Sequence, residues 1–244
     1  MSKKTFYILS IFTIKLILFS TPYISAQPLL NIAYVAEKPC AHNEIQSCPG
    51  DIVILDYLNR SEIFIEIEGI LEPSTLNWSP SNDQIAFLYS TGQNFDINVI
   101  TLANGEVENL TNSFWSEGLP VWSPDGTQIA FIYGSSSISR DIFLFSLDTG
   151  NRIRVSHDVY ASDPLAWSPD GESIAFTSVF DTNDINAIDI SLIRLPETAL
   201  FNITANNFLE HSPIWSPDGT RIAFISRRTG RDQIYTTDSE GTDN

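Results

Sequence analysis

Few residues in this 244-residue chain have the types and spacing that chemistry requires. Its two cysteines, Cys40 and Cys48, flank His42. Eight residues apart in one loop of an exported protein, they read as a disulfide, which stabilises by about 2–3 kcal/mol in chain-entropy terms. A metal site on Cys40, His42 and Cys48 is the competing reading, but it has neither a fourth ligand nor a Cys-x2-Cys spacing. Asp181, Asn183, Asp184 and Asp189 are oxygen ligands of the kind calcium takes. They lack the EF-hand spacing and its glycine, and a solvated loop is the plainer reading. No cofactor other than calcium is suggested. His42, His157 and His211 are scattered, and the chain has no Gly-x-Ser-x-Gly elbow, phosphate loop or dinucleotide fingerprint. The expectation is a protein that is not an enzyme.

A second group of candidates stands ahead of a recurring tryptophan. Trp115, Tyr160 and Phe208 each precede one by seven residues, before Trp122, Trp167 and Trp215. Glu117 and Glu210 stand five before, and Asp163 four before. Placed on loops around one channel mouth, the six would form an aromatic and acidic binding ring. A feature copied in every unit also serves packing, since each unit needs the same support.

These candidates sit within a repeat. Trp-Ser-Pro-Asp-Gly occurs at Trp122–Gly126, Trp167–Gly171 and Trp215–Gly219, with a worn copy, Trp-Ser-Pro-Ser-Asn, at Trp78–Asn82. The spacings of 44, 45 and 48 mark a repeat architecture. Each turn is followed by a run that is apolar on both faces, such as Ile129-Ala130-Phe131-Ile132, and then by two further strand signals. Four short strands in roughly 40–50 residues, covered on both faces, describe a propeller blade. Proline presets φ in the turn, and glycine, or Asn82 in the worn copy, accepts a positive φ. The tryptophan is expected to wedge between neighbouring blades. The first unit lacks the tryptophan and the last lacks a fourth strand. The expected fold is therefore all-β: a propeller of about five four-stranded blades, first and last incomplete, or a piece of a six-bladed ring.

The pattern Pro-x-Trp-Ser-Pro-Asp-Gly-x-x-Ile-Ala-Phe, then a loop, an Asp-Ile-Tyr-like strand, a glycine turn and Leu-Thr, resembles the TolB-type β-propeller repeat over residues 30 to 244. The resemblance implies an envelope-associated binding role and protein contacts. The same repeat also serves as the propeller of some peptidases. The chain departs from the family in having no room for an α/β domain ahead of the propeller, and in carrying Gln233 where the last copy's aspartate belongs.

Lys3 and Lys4, the apolar run Phe6–Phe19 and Ile24-Ser25-Ala26 read as a signal peptide over residues 1–26, with the propeller domain at 27–244. The expected location is periplasmic or extracellular, with no membrane insertion after cleavage. The formal net charge is −17, and the leader holds three lysines and no acid, so the remainder carries about −20. That charge disfavours nucleic acid and anionic lipid. The function expected is an exported, non-enzymatic binding module that takes a protein or peptide at the channel face. The alternatives are the propeller of a prolyl-oligopeptidase-like peptidase without its catalytic domain, and a calcium- or carbohydrate-binding propeller.

Overall fold

The two-faced apolar runs form the second strands of consecutive antiparallel meanders. The computed structural model describes residues 31–37, 50–56, 61–67, 70–71, 75–90, 94–135, 139–157, 159–179 and 188–242. Strands β1 (Asn31–Glu37), β2 (Gly50–Asp56) and β3 (Ser61–Ile65) make the first meander. The second holds β4 (Ile70–Leu71), β5 (Asn77–Trp78), β6 (Gln84–Ser90), β7 (Asp96–Thr101) and β8 (Glu106–Asn109), with β4 and β5 both on β6. The third runs through β9 (Val121–Trp122), β10 (Gln128–Ser135), β11 (Ser139–Ser146) and β12 (Arg152–Arg154). The fourth comprises β13 (Tyr160–Trp167), β14 (Ser173–Val179), β15 (Asp189–Arg194) and β16 (Ala199–Asn202). The fifth has β17 (Glu210–Trp215), β18 (Arg221–Ser226) and β19 (Gln233–Asp238). No helix occurs among the described residues.

The middle of each second strand is dry. Phe87, Phe131, Phe176 and Phe224 hold one repeat position and are all fully buried. Covering on both faces is what propeller packing requires, and it explains why the sequence is continuously apolar there.

The Ser-Pro-Asp-Gly turn closes by a shared set of bonds. Gly126 N–H donates to Ser123 O, Gly171 N–H to Ser168 O and Gly219 N–H to Ser216 O. The glycines have φ of 71° to 75°, and Asn82, which substitutes for them, has 58°. The serine hydroxyl donates to the aspartate carboxylate, at 2.6 Å for Ser123 and Asp125, and accepts the N–H that opens the second strand. These hydroxyl bonds hold the carboxyls of Asp125, Asp170 and Asp218 below the usual carboxylate range.

Each tryptophan ties its blade to the one before. Trp122 Nε1–H donates to Asn77 O, Trp167 to Val121 O and Trp215 to Ala166 O, all within 3.1–3.2 Å. The accepting carbonyl belongs in each case to the residue just ahead of the preceding tryptophan. The rings pack on the preceding sheet: Trp122 on Ala86 and Val99, and Trp78 in the cluster of Ile52 and Ile54. The expected wedge is observed, with a hydrogen bond that spacing did not foretell.

The outer edge is fixed by a second repeated device. Ile97 N–H donates to Thr111 Oγ1, Ile142 N–H to Ser156 Oγ and Ile190 N–H to Thr204 Oγ1. The aspartate ahead of each isoleucine binds the following edge as well. Asp141 takes Arg154 at 2.7 Å, and Asp189 takes Asn202 Nδ2 at 2.8 Å.

Candidate functional site

The loops leading from each outer strand to the next inner strand lie at one end of the meanders. Trp115 and Phe208 are there, 42% and 44% exposed, as is Phe114 at 76%. Phe114 and Trp115 meet edge to face with centroids 4.9 Å apart. Asn94, from a neighbouring loop, donates to Phe114 O at 2.6 Å and so fixes the loop that presents both rings.

Tyr160 does not join them. It lies inside β13, opposite Val179, and its backbone pairs with Arg140. The counterpart pairings are Ile188 with Leu209, and Phe95 N–H donating to Ser116 Oγ. Tyr160 therefore corresponds to Ser116 and Leu209, and the residue at the place of Trp115 and Phe208 is the buried Val159. The cause is local. Between Ser162 and Ala166 the inner strand bulges, carrying Asp163, Pro164 and Leu165 opposite the single residue Phe176. In the fifth meander the bulge between His211 and Ile214 holds one residue fewer. Seven-residue spacing consequently lands on different positions in different blades.

The acids part company for the same reason. Glu117 pairs with Tyr133, Glu210 with Ser226, and Ala161 holds the equivalent place opposite Ser178. Asp163 is instead within the bulge. The two glutamates are not mouth residues open to solvent: Glu117 is 5% exposed and Glu210 is 0%. Glu210 is held by Arg228 Nη2 at 2.8 Å and by the Ser226 hydroxyl at 3.0 Å. Neither carboxylate oxygen of Glu117 has a hydrogen-bond partner.

Burial, with Asp96 nearby, pushes the Glu117 carboxyl from about 4.5 up to about 7. A carboxyl raised in this way stabilises the fold while protonated. That contribution is complete below pH 4.5, is lost as the pH rises through about 7, and is flat above. Wild-type protein should therefore lose on the order of 2 kcal/mol relative to Glu117→Gln across this window. Urea unfolding of both proteins at pH 4.5, 6 and 8 measures it, and parallel stability curves would contradict the assignment.

At the opposite end of the strands, between the third and fourth meanders, is a cleft of about 340 Å3. Pro124, Trp167 and Pro169 line it beside Asp125 and Asp170. Of the calcium candidates only Asp189 lies within the described residues, and it is buried on Asn202, Thr204 and Asn206. Asp181, Asn183, Asp184, Cys40, Cys48 and residues 1–26, where a signal peptide is expected, lie outside them. Among the described residues no three His, Cys, Asp or Glu side chains gather as a metal would need.

The model of the TolB β-propeller domain matches residues 119–244, which include all three intact turns. This chain belongs to the TolB β-propeller family. Among solved structures it is similar to TolB from Acinetobacter baumannii, at 20% identity and a TM-score of 0.64 over 86% of this chain. It spans 49% of that TolB's length. An oligogalacturonate lyase in complex with manganese matches 77% of this chain and 56% of its own, at 13% identity and a TM-score of 0.63. A prolyl endopeptidase matches 88% of this chain and 34% of its own, at 12% identity and a TM-score of 0.64. At these identities the structural likeness shows the fold alone. No curated protein sequence matches the chain.

Proposed function

We propose that this TolB-like propeller is an exported, non-enzymatic binding module that takes a protein or peptide on the face bearing Phe114, Trp115 and Phe208. The carrying observation is the exposed Phe114–Trp115 pair, on a loop whose Phe114 carbonyl accepts a hydrogen bond from Asn94. Exposed aromatics that do not fill a core mark contact surfaces, because rigid rings gain area on binding at small entropic cost. Family membership supports a protein partner in general terms, and the leader expected at residues 1–26 supports export. The likeness to a prolyl endopeptidase keeps a peptidase propeller as the second reading, in which the same face would meet a catalytic domain.

Variants Phe114→Ser/Trp115→Ser and Phe208→Ser test the proposal against Ile153→Ser, which alters an exposed residue on the outer strand β12. Partner captured from the extracytoplasmic fraction by the tagged protein should fall about tenfold or more in the first two and hold in the third. Equal capture by all three would remove the loop face from the proposal.

A further inference from the structure

Every junction between consecutive meanders joins the same two kinds of face. The later meander brings a fully buried phenylalanine, and the earlier one receives it on aliphatic side chains. Phe87 of the second meander clusters with Ile52 and Ile54 of the first, and Phe131 of the third with Leu88 and Ile97 of the second. Phe176 of the fourth meets Ile132 and Ile142, and Phe224 of the fifth meets Ala175, Ile190 and Leu192.

The fifth meander carries the receiving face, and it lies open. Ile234 holds the repeat position of Ile97, Ile142 and Ile190, which are all 0% exposed, yet it is itself 79% exposed. Ile214, at the place of Ala166, is 63% exposed. Strand register puts Ile214, Ala223, Ile225 and Ile234 on this one face. Arg221 shares it, two residues before Ala223, and donates to Thr236 Oγ1 at 2.9 Å. The first meander carries the aromatic face, and that is open too. Tyr34 stands where the other meanders have the buried phenylalanine, and Phe64 lies in the same row across Val53. Both rings are exposed, Phe64 to 64%. The positions matching Phe64 in the next three meanders are Asn109, Arg154 and Asn202, so the fold does not itself call for an apolar ring there. Glu62 shares this face, two residues before Phe64.

The chain thus exposes the two halves of one junction, and their exposure shows that it does not join them to each other. Contiguous apolar faces of this kind mark contact surfaces. We propose that a second copy of the chain joins them: the aliphatic face of the fifth meander in one copy packs on the aromatic face of the first meander in the next. Such a contact continues, between copies, the pairing that holds each meander to its neighbour within one. Charge favours this pairing, since Arg221 lies on one face and Glu62 on the other, although the formal net charge of −17 makes two copies repel elsewhere. Two fifth meanders meeting face to face would set Arg221 against Arg221 and would bring no aromatic row. The contact is therefore heterologous, and association runs head to tail. It uses neither Phe114 nor Trp115, and is independent of the binding role proposed for the loop face.

The test is sedimentation velocity on protein purified from the extracytoplasmic fraction, over concentrations from about 1 to 100 μM. Wild type, and Ile153→Ser as control, should form dimers and larger species that grow with concentration. Ile234→Glu adds an acid to the face that meets Glu62, and Phe64→Lys adds a base to the face that meets Arg221. Each should weaken association about tenfold or more. An equimolar mixture of the two should restore a species of two chains and no larger, because each variant keeps the face that the other has lost. Ile214→Glu takes the place of Ile234→Glu if the latter melts below wild type. A wild type that stays monomeric at the highest concentration overturns the proposal, as does a mixture of folded variants that fails to pair. Association that either variant leaves intact also overturns it, since like faces or other surfaces would then be meeting.

Discussion

Trp122→Ala should cost about 3–5 kcal/mol of folding stability and broaden the unfolding transition, more than any loop-face substitution. The ring is 6% exposed and packs on Ala86, Val99 and Ile129, so truncation opens a cavity between two blades rather than inside one. It also removes the bond from Nε1–H to Asn77 O and leaves that carbonyl without its donor. Trp122→Phe retains most of the buried area but not the bond, and should cost about half as much. Urea unfolding followed by circular dichroism at pH 7 separates the two variants. A loss below about 1 kcal/mol for Trp122→Ala would mean that the blades do not depend on the wedge.

Arg228→Met should destabilise by about 3–5 kcal/mol at pH 7, because it strands the fully buried Glu210 without a counter-charge. The double variant Arg228→Met/Glu210→Leu should recover most of that loss, since removing both charges also removes the desolvation cost. Arg154→Met is the contrast. Its partner Asp141 is buried, but Arg154 itself is over a third exposed, and water screens the stranded charge, so the loss should be about 1 kcal/mol. Measured stabilities of the three at pH 7 decide the matter, and equal losses for Arg228→Met and Arg154→Met would contradict it.

The scaffold was legible because its rules are local. Proline before Asp-Gly fixes a turn, and four tryptophans at near-constant spacing fix the unit. The substitution of Asn82 for glycine at a positive φ follows from backbone sterics alone. The candidate ring was less legible, because the inner strands bulge. Spacing cannot register the additional residue among Asp163, Pro164 and Leu165, and one residue is enough to exchange the two faces of a strand. Hence Trp115 and Phe208 came out exposed together and Tyr160 did not. Glu117 and Glu210 turned inward, Glu117 beside Asp96 of the preceding blade and Glu210 onto Arg228 and Ser226 of its own. Their different fates turn on Arg228, eighteen residues after Glu210. The Leu-Thr element read as a repeat marker, yet its hydroxyl caps the third strand. Such a bond between strands fourteen residues apart has no signature until the strands are paired.

The most direct measurement of the binding role places a photo-crosslinking residue at position 115 or 208 in the producing cell, with position 153 as control. Irradiation should give one discrete protein adduct, identical by mass spectrometry, from 115 and 208, and none from 153. Adducts from 153 equal to those from the loop face, or none from any position, would contradict a partner bound there.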